Sequence, residues 1–151
     1  FSGLRMAYLV VPGDLAPAFR AARQIVGGPP PVLEQAVVER FLTEGHFQRH
    51  LRRMRRIYSQ RQSRLVKAVE EELDGLLHVD PDETGMHLVG WLRNGMAAED
   101  VCRRAVKEGL ELLPLSSYRA EAGPEGVLLG FSEVGEPSLL RGVRLLRKAL
   151  V

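Results

Sequence analysis

The chain has 151 residues, of which 45% are hydrophobic and 26% are charged, and these are the proportions of an ordinary soluble globular protein. The net charge of +2 is too small to favour nucleic-acid binding by the whole molecule, and the single cysteine, Cys102, excludes an internal disulfide and fits a reducing cytosol. The sequence contains no apolar run of about 18 residues and no visible signal peptide, so we predict a cytoplasmic protein without a membrane span.

The first third of the chain predicts one strand and two helices. Leu4–Val11 is apolar on both sides in its second half, which is typical of a buried parallel strand. Leu15–Ile25 and Val32–Thr43 have helical patterns, and the glycines and prolines of residues 27–31 separate them. One strand cannot bury both of its faces alone. Because the chain also opens on Phe1 rather than Met, we interpret it as a fragment of a longer protein.

A long helix is predicted next, over residues 45–75. No glycine or proline interrupts the sequence between Gly45 and Gly75. Apolar residues recur there at helical spacing: Phe47, Leu51, Met54, Tyr58, Leu65, Val69, Leu73 and Leu76. A helix of about 30 residues is about 45 Å long, more than a compact domain of this size needs. We therefore predict a helix that connects two bodies.

The last half of the chain predicts a compact α+β unit with the order β-β-α-β-β-α. Its elements are strands Leu76–Val79 and Met86–Leu92, helix Ala97–Glu108, strands Leu110–Leu115 and Val127–Ser132, and helix Pro137–Leu150. The turn-forming residues Pro81–Gly85 join the first two strands, which we expect to form a hairpin.

Eight basic residues lie between Arg49 and Lys67 with no acidic residue among them. This run could contact nucleic acid. A solvated helix face is the favoured interpretation, because no aromatic residues alternate with the arginines as stacking platforms. Glu70–Glu72 follow and can offset the charge.

The remaining candidates are weak by their residues alone. His46 and His50 are one helical turn apart, but a third ligand is not evident, so we predict no metal site. His87 is either a site residue or an edge histidine, and Ser116, Ser117 and Tyr118 are either ligand contacts or a turn. We expect Cys102 to be a structural thiol. No catalytic motif is present, and we predict no catalytic residue in this chain.

Several segments taken together resemble a known family. They are Phe1-Ser2-Gly3-Leu4-Arg5-Met6-Ala7-Tyr8, Leu33-Glu34-Gln35, Glu44-Gly45-His46-Phe47, His50-Leu51-Arg52-Arg53-Met54-Arg55, Tyr58, Arg61, Gly85-Met86-His87-Leu88-Val89, Leu113-Pro114-Leu115-Ser116-Ser117-Tyr118 and Leu128-Leu129-Gly130-Phe131. In this order they resemble the C-terminal part of MocR-type bacterial transcription regulators of the GntR superfamily. The resemblance covers essentially the whole chain.

The resemblance implies a fold, a cofactor and an assembly. Such regulators join an N-terminal winged-helix DNA-binding domain to a domain similar to fold type I aminotransferases, which bind pyridoxal 5'-phosphate (PLP). The implied fold class is α/β to α+β, the C-terminal segment of a PLP-dependent transferase fold. Residues 1–44 would end the large domain, residues 45–75 would be the connecting helix, and residues 76–151 would be the small domain. Homodimers with sites at the subunit interface are expected.

The resemblance also implies roles for individual residues. Arg5 matches the arginine that pairs with the cofactor phosphate, a role that suits its guanidinium fork, while a surface ion pair is the alternative. The PLP lysine of the family falls before Phe1, and none of the three lysines here, Lys67, Lys107 and Lys148, lies in that motif. We therefore expect PLP in the full-length protein, and neither bound PLP nor activity in this chain alone. His87 and Tyr118 are expected on the substrate or effector side.

One departure from the family pattern bears on function. Fold type I aminotransferases often place the arginine for the substrate carboxylate three residues before the phenylalanine matching Phe131, and this chain has Leu128 there. A leucine cannot neutralise a carboxylate. The implied function is therefore a regulator domain that senses a small amine or amino-acid effector through PLP and acts on DNA through the winged helix. A working aminotransferase is the alternative, and direct nucleic-acid binding by the arginine-rich helix is a third hypothesis.

Overall fold

The computed structural model describes residues 6–27 and 31–151, which form five α-helices and four β-strands. The chain divides into two compact units, Phe1–Arg52 and Arg53–Val151. Arg5, the predicted ligand of the cofactor phosphate, lies outside the described residues.

The first unit contains helices α1 (Ala16–Gly27) and α2 (Val32–Thr43), and none of their side chains is buried. Gly45, with a φ of +73°, ends α2 and allows the turn into the next helix. The predicted strand Leu4–Val11 is wrong over its described residues, since residues 6–11 have no regular structure. A strand is stabilised by hydrogen bonds to a neighbouring strand, and the described residues of this unit include none.

Helix α3 (His46–Glu72) has 27 residues and is therefore about 40 Å long, which confirms the predicted long helix. Its buried side chains, Leu65, Ala68 and Val69, all lie in its C-terminal part and are followed by fully buried Leu73. The partition of the chain at residues 44 and 75 remains a prediction.

The second unit has the predicted β-β-α-β-β-α order. Its elements are β1 (Leu77–Val79), β2 (His87–Leu92), α4 (Ala98–Lys107), β3 (Leu113–Pro114), β4 (Gly126–Gly130) and α5 (Glu136–Leu150), with a 3₁₀ turn at Leu115–Tyr118. The strands form one sheet of order β1-β2-β4-β3 in which all neighbours are antiparallel, so the predicted hairpin is confirmed.

Strand β3 is shorter than the predicted Leu110–Leu115. The Leu110 amide donates to the Ala105 carbonyl at 2.9 Å, so it closes the end of α4 instead of entering the sheet. Gly109, with a φ of +79°, provides the left-handed residue that this helix end requires.

One face of the sheet packs against helices and forms the core. Leu77, Val79, Leu88, Val127 and Leu129 lie on this face, and they join buried side chains from α3, α4 and α5 in one cluster. Phe131, directly after β4, belongs to the same cluster and meets the ring of Tyr58 from α3 edge to face, with centroids 6.5 Å apart. Among the described helices, none has the length and apolar character that crossing a membrane requires.

Candidate functional site

The other face of the sheet, which we call the outer face, carries a separate set of side chains. Successive residues of a strand point to opposite faces, so the residues opposite the core positions share the outer face. They are His78, His87, Val89, Trp91, Leu113 and Leu128, together with Gly126 and Gly130. Val89, Trp91 and Leu128 are half-buried, whereas Leu113 on the edge strand is 47% exposed.

Two glycines of β4 make room for two rings on this face. Trp91 pairs with Gly126, and His87 pairs with Gly130. A Cβ atom at Gly126 would lie 3.3 Å from Trp91 Cε3, and one at Gly130 would lie 3.4 Å from His87 Cδ2. The indole and the imidazole therefore lie over the glycines.

Leu128 is the outer-face residue of β4 between the two glycines. It pairs with Val89 on β2 and with Leu113 on β3, so apolar side chains flank it on both neighbouring strands. None of the strand positions on the outer face of the described sheet is occupied by Lys, Arg, Asp or Glu. The centre of the face is therefore apolar and uncharged, with His87 at one end.

The structure does not bring the two predicted effector-side residues together. His87 is exposed at the end of β4 that holds Gly130. Pro114 pairs with Val127, and the chain then continues past the Gly126 end into the 3₁₀ turn that contains Tyr118, which is 63% exposed. The two side chains thus lie toward opposite ends of the sheet.

The 3₁₀ turn is held against the first turn of α4. Ser116 Oγ donates to Glu99 Oε1 at 2.6 Å, and this hydrogen bond lowers the pKa of the Glu99 carboxyl below its ordinary value. Glu125 also reaches α4, where its Oε2 accepts from the Ala98 amide at 2.7 Å and caps the helix. The Ser116 contact holds the turn that contains Tyr118.

The three lysines of the chain lie on helices α3, α4 and α5. Lys67 and Lys148 form ion pairs with Glu71 (3.6 Å) and Glu108 (3.5 Å), and Lys107 is exposed in the last turn of α4. No lysine occupies an outer-face strand position in the part of the sheet that the structure describes.

The histidines at the start of α3 take part in local packing. His46 Nε2 lies 3.2 Å from Glu44 Oε2, and Arg49 Nη2 donates to His46 Nδ1 at 2.7 Å. The ring of Phe41 stacks on His46 with centroids 6.2 Å apart, and it also lies 6.5 Å from the His50 ring. Over residues 6–27 and 31–151, no group of three or more His, Cys, Asp or Glu side chains is placed to hold a metal ion.

Only part of the basic run on α3 is paired with other groups of the described chain. Arg61 donates to the Ser132 carbonyl, and Arg64 Nη1 lies 3.4 Å from Glu136 Oε1. Arg52, Arg53, Arg55 and Arg56 are exposed. Nucleic-acid binding by this helix stays a prediction.

Sequence reasoning missed a polar cleft between α3 and the loop that joins β1 to β2. The cleft has a volume of about 790 Å³, and its walls include Arg55, Tyr58 and Asp82. Gln62 Nε2 donates to the Asp82 carbonyl at 2.6 Å and holds the loop against the helix. The Thr84 amide and hydroxyl donate to the Asp82 carboxylate and lower its pKa. The apolar periodicity of a helix does not show which loop, distant in sequence, the helix will contact.

Comparison with known proteins finds similarity to transcription regulators and to aminotransferases. No protein-family model matches it. It is 34% identical over 152 residues to the probable rhizopine catabolism regulatory protein MocR of Rhizobium meliloti, covering 100% of this chain and 31% of that protein. It is 29% identical over 154 residues to the HTH-type transcriptional regulator TauR of Rhodobacter capsulatus, covering 99% of this chain and 31% of that protein.

A solved structure shows the same fold. The α-aminoadipate aminotransferase LysN of Thermus thermophilus, complexed with N-(5'-phosphopyridoxyl)-L-leucine, matches with a TM-score of 0.87 and 29% identity, covering 99% of this chain and 38% of LysN. The predicted fold class, the C-terminal segment of a PLP-dependent transferase fold, is confirmed. The chain spans about a third of the length of the relatives it matches.

Proposed function

We propose that this chain, which has the sequence pattern and fold of the C-terminal part of the aminotransferase-like domain of MocR-type regulators, serves effector sensing in a bacterial transcription regulator. The single observation that supports a regulator most strongly is the match along the full chain to the MocR protein of Rhizobium meliloti at 34% identity. Leu128 on an uncharged outer face agrees with it, because transamination of an ordinary amino acid needs a partner for the carboxylate.

The proposal covers the cofactor and partners of the parent protein. LysN is complexed with a phosphopyridoxyl amino acid, and TauR is an HTH-type regulator, so a PLP site and a winged-helix DNA-binding domain are proposed for the parent. Arg5 is proposed to bind the cofactor phosphate. The parent is proposed to be a cytoplasmic homodimer that binds a small amine or amino-acid effector.

The outer face is the proposed effector side of this chain. His87 is exposed at the Gly130 end of β4, where its imidazole can exchange hydrogen bonds with a ligand. Tyr118 is proposed as a second contact, although it lies toward the other end of the sheet. Effector binding at this face would change the affinity of the intact regulator for DNA.

A working aminotransferase is the second candidate function. The match to LysN over 99% of the chain favours it, because the same fold supports catalysis there. A winged-helix segment in the sequence upstream of Phe1 would favour the regulator, and the absence of such a segment in the parent gene would favour the enzyme.

The test uses the full-length parent reconstituted with PLP. Binding to the DNA upstream of its own gene is measured by electrophoretic mobility shift, with and without a panel of primary amines and amino acids. The regulator proposal predicts DNA binding that at least one member of the panel changes. Formation of a keto acid from an amino acid by a parent that binds no DNA would support the aminotransferase instead.

A further inference from the structure

The geometry of the outer face points to an effector that lacks a carboxylate, namely a primary amine rather than an α-amino acid. This inference rests on the proposed function, since it concerns the ligand of the same face. It narrows the class of effector from amines and amino acids to amines alone.

Leu128 lies at the centre of the outer face, which is the proposed effector side. Its cross-strand partners are Val89 and Leu113, and the Trp91 and His87 rings lie over the glycines on either side of it. A ligand that covers this centre meets an isobutyl group flanked by other apolar side chains. The contact favours an apolar part of the ligand, because burial of apolar surface is favourable there.

Two arginines approach the ends of β4, and each donates one hydrogen bond to a backbone carbonyl. Arg61 donates to Ser132 O just beyond the Gly130 end, and Arg119 donates to Pro124 O just before the Gly126 end. Neither occupies a strand position on the outer face. The described sheet therefore offers no guanidinium fork for bidentate contact with a carboxylate.

A carboxylate is poorly matched to this surface. Taking an ionised carboxylate out of water is costly unless a cation or several hydrogen-bond donors replace the water. His87 is the only titratable outer-face side chain on β2, β3 and β4 in the described sheet, and it lies at the end of the face rather than beside Leu128. An amine effector has no carboxylate, so its apolar part can contact Leu128 without burying a charge.

The experiment compares pairs of probes that differ only in the α-carboxylate. Isothermal titration calorimetry of the PLP-loaded parent is performed with 2-phenylethylamine and L-phenylalanine, 3-methylbutylamine and L-leucine, and 1,4-diaminobutane and L-ornithine. The inference predicts that at least one amine binds about tenfold or more tightly than its amino acid, and that no amino acid binds more tightly than its amine. Tighter binding of any amino acid, or failure of every amine at millimolar concentration, would overturn it.

A substitution at the centre of the outer face provides a second test of the inference. Leu128→Arg is expected to raise the affinity for the amino acid of each pair by about tenfold or more, by adding the missing cation. Leu113→Arg is the matched control, since it places the same charge on the edge strand of the same face. An equal gain in both variants would show a general charge effect and would overturn the assignment to Leu128. The wild-type preference decides the inference even where Leu128→Arg fails to fold.

Failure of this inference and failure of the proposed function give different results. A parent whose DNA binding responds to α-amino acids keeps the regulator role and loses the inference. A parent that prefers amines but binds no DNA keeps the inference and loses the regulator role.

Discussion

At the scale of a single residue, Phe131 packs the end of β4 against the long helix α3. Its side chain is 1% exposed, and its ring meets Tyr58 of α3 edge to face. Edge-to-face pairs add stabilisation beyond the burial of apolar area. Tyr118 has the opposite environment, because it is 63% exposed in the 3₁₀ turn.

Phe131→Ala is expected to lower the free energy of unfolding of the second unit by about 3–5 kcal/mol, because it removes buried apolar contacts and leaves a cavity. Tyr118→Ala is the control, with an expected change within about 0.5 kcal/mol. Denaturant titration followed by circular dichroism measures both. Similar losses in the two variants would show that Phe131 is not a core residue.

Ser116→Ala is expected to raise the pKa of Glu99 toward its ordinary value, because the Ser116 hydroxyl is the main cause of the lowering. A carboxylate with a lowered folded-state pKa stabilises the fold above its unfolded-state pKa and loses that contribution as the pH falls through the folded-state pKa. The wild type should therefore lose more stability on acidification than Ser116→Ala.

An NMR titration of the Glu99 side-chain carboxyl checks this prediction, and Ser117→Ala is the neighbouring control. The Glu99 pKa should keep its lowered value in the control. A Glu99 pKa that is unchanged in Ser116→Ala would contradict the hydrogen bond.

At the scale of elements, Gly90 and Gly130 differ in how much space surrounds them on the two faces of the sheet. Gly90 lies on the core face, where a Cβ atom would lie 2.9 Å from Leu77 Cδ1 and 3.2 Å from Leu129 Cδ1. Gly130 lies on the outer face, where a Cβ atom would make an ordinary contact of 3.4 Å with the His87 ring. The core face is filled by neighbouring side chains at Gly90, whereas the outer face has room for a methyl group at Gly130.

Gly90→Ala is expected to lower the free energy of unfolding by about 1–3 kcal/mol, because the added methyl group overpacks the core between β1 and β4. Gly130→Ala is the matched glycine substitution and should change it by no more than about 0.5 kcal/mol. Thermal unfolding of the two variants compares them directly. A larger loss in Gly130→Ala would mean that the outer face at Gly130 is packed as tightly as the core at Gly90.

At the scale of the whole molecule, buried side chains are divided unequally between the two units. Every buried hydrophobic residue of the described chain lies between Leu65 and Leu150, within Arg53–Val151. The described residues of the first unit include none, and Ile25, Val26, Val32 and Leu33 are exposed. Helices without a buried face gain little from packing, and short helices alone are marginal in water.

Residues 53–151 expressed alone are therefore expected to unfold cooperatively, whereas residues 1–52 alone should show little helix. Circular dichroism and the dispersion of NMR amide signals measure both pieces. Cooperative unfolding of residues 1–52, or absence of a folded state for residues 53–151, would contradict this account of the core.

The local sequence was sufficient for most of the helices and for their order. Helix α2 runs over the predicted Val32–Thr43, and α3 lies within the predicted residues 45–75, because helical periodicity and glycine stops act within a few residues. Short segments of the sequence also indicated the resemblance to the C-terminal part of the MocR-type aminotransferase-like domain. The similarity to the MocR protein and to the solved LysN fold confirms that resemblance. The roles of Arg5, His87 and Tyr118 remain predictions.

Only the tertiary structure decided which residues share a face. Sequence alone predicted strands at Leu4–Val11 and Leu110–Leu115, yet the described residues 6–11 have no strand and β3 covers only Leu113–Pro114. A strand depends on hydrogen bonds to a partner that is distant in the chain, whereas a helix satisfies its own backbone. For the same reason the setting of Leu128, flanked by Val89 and Leu113 between two ring-covered glycines, emerged only from the register of the sheet.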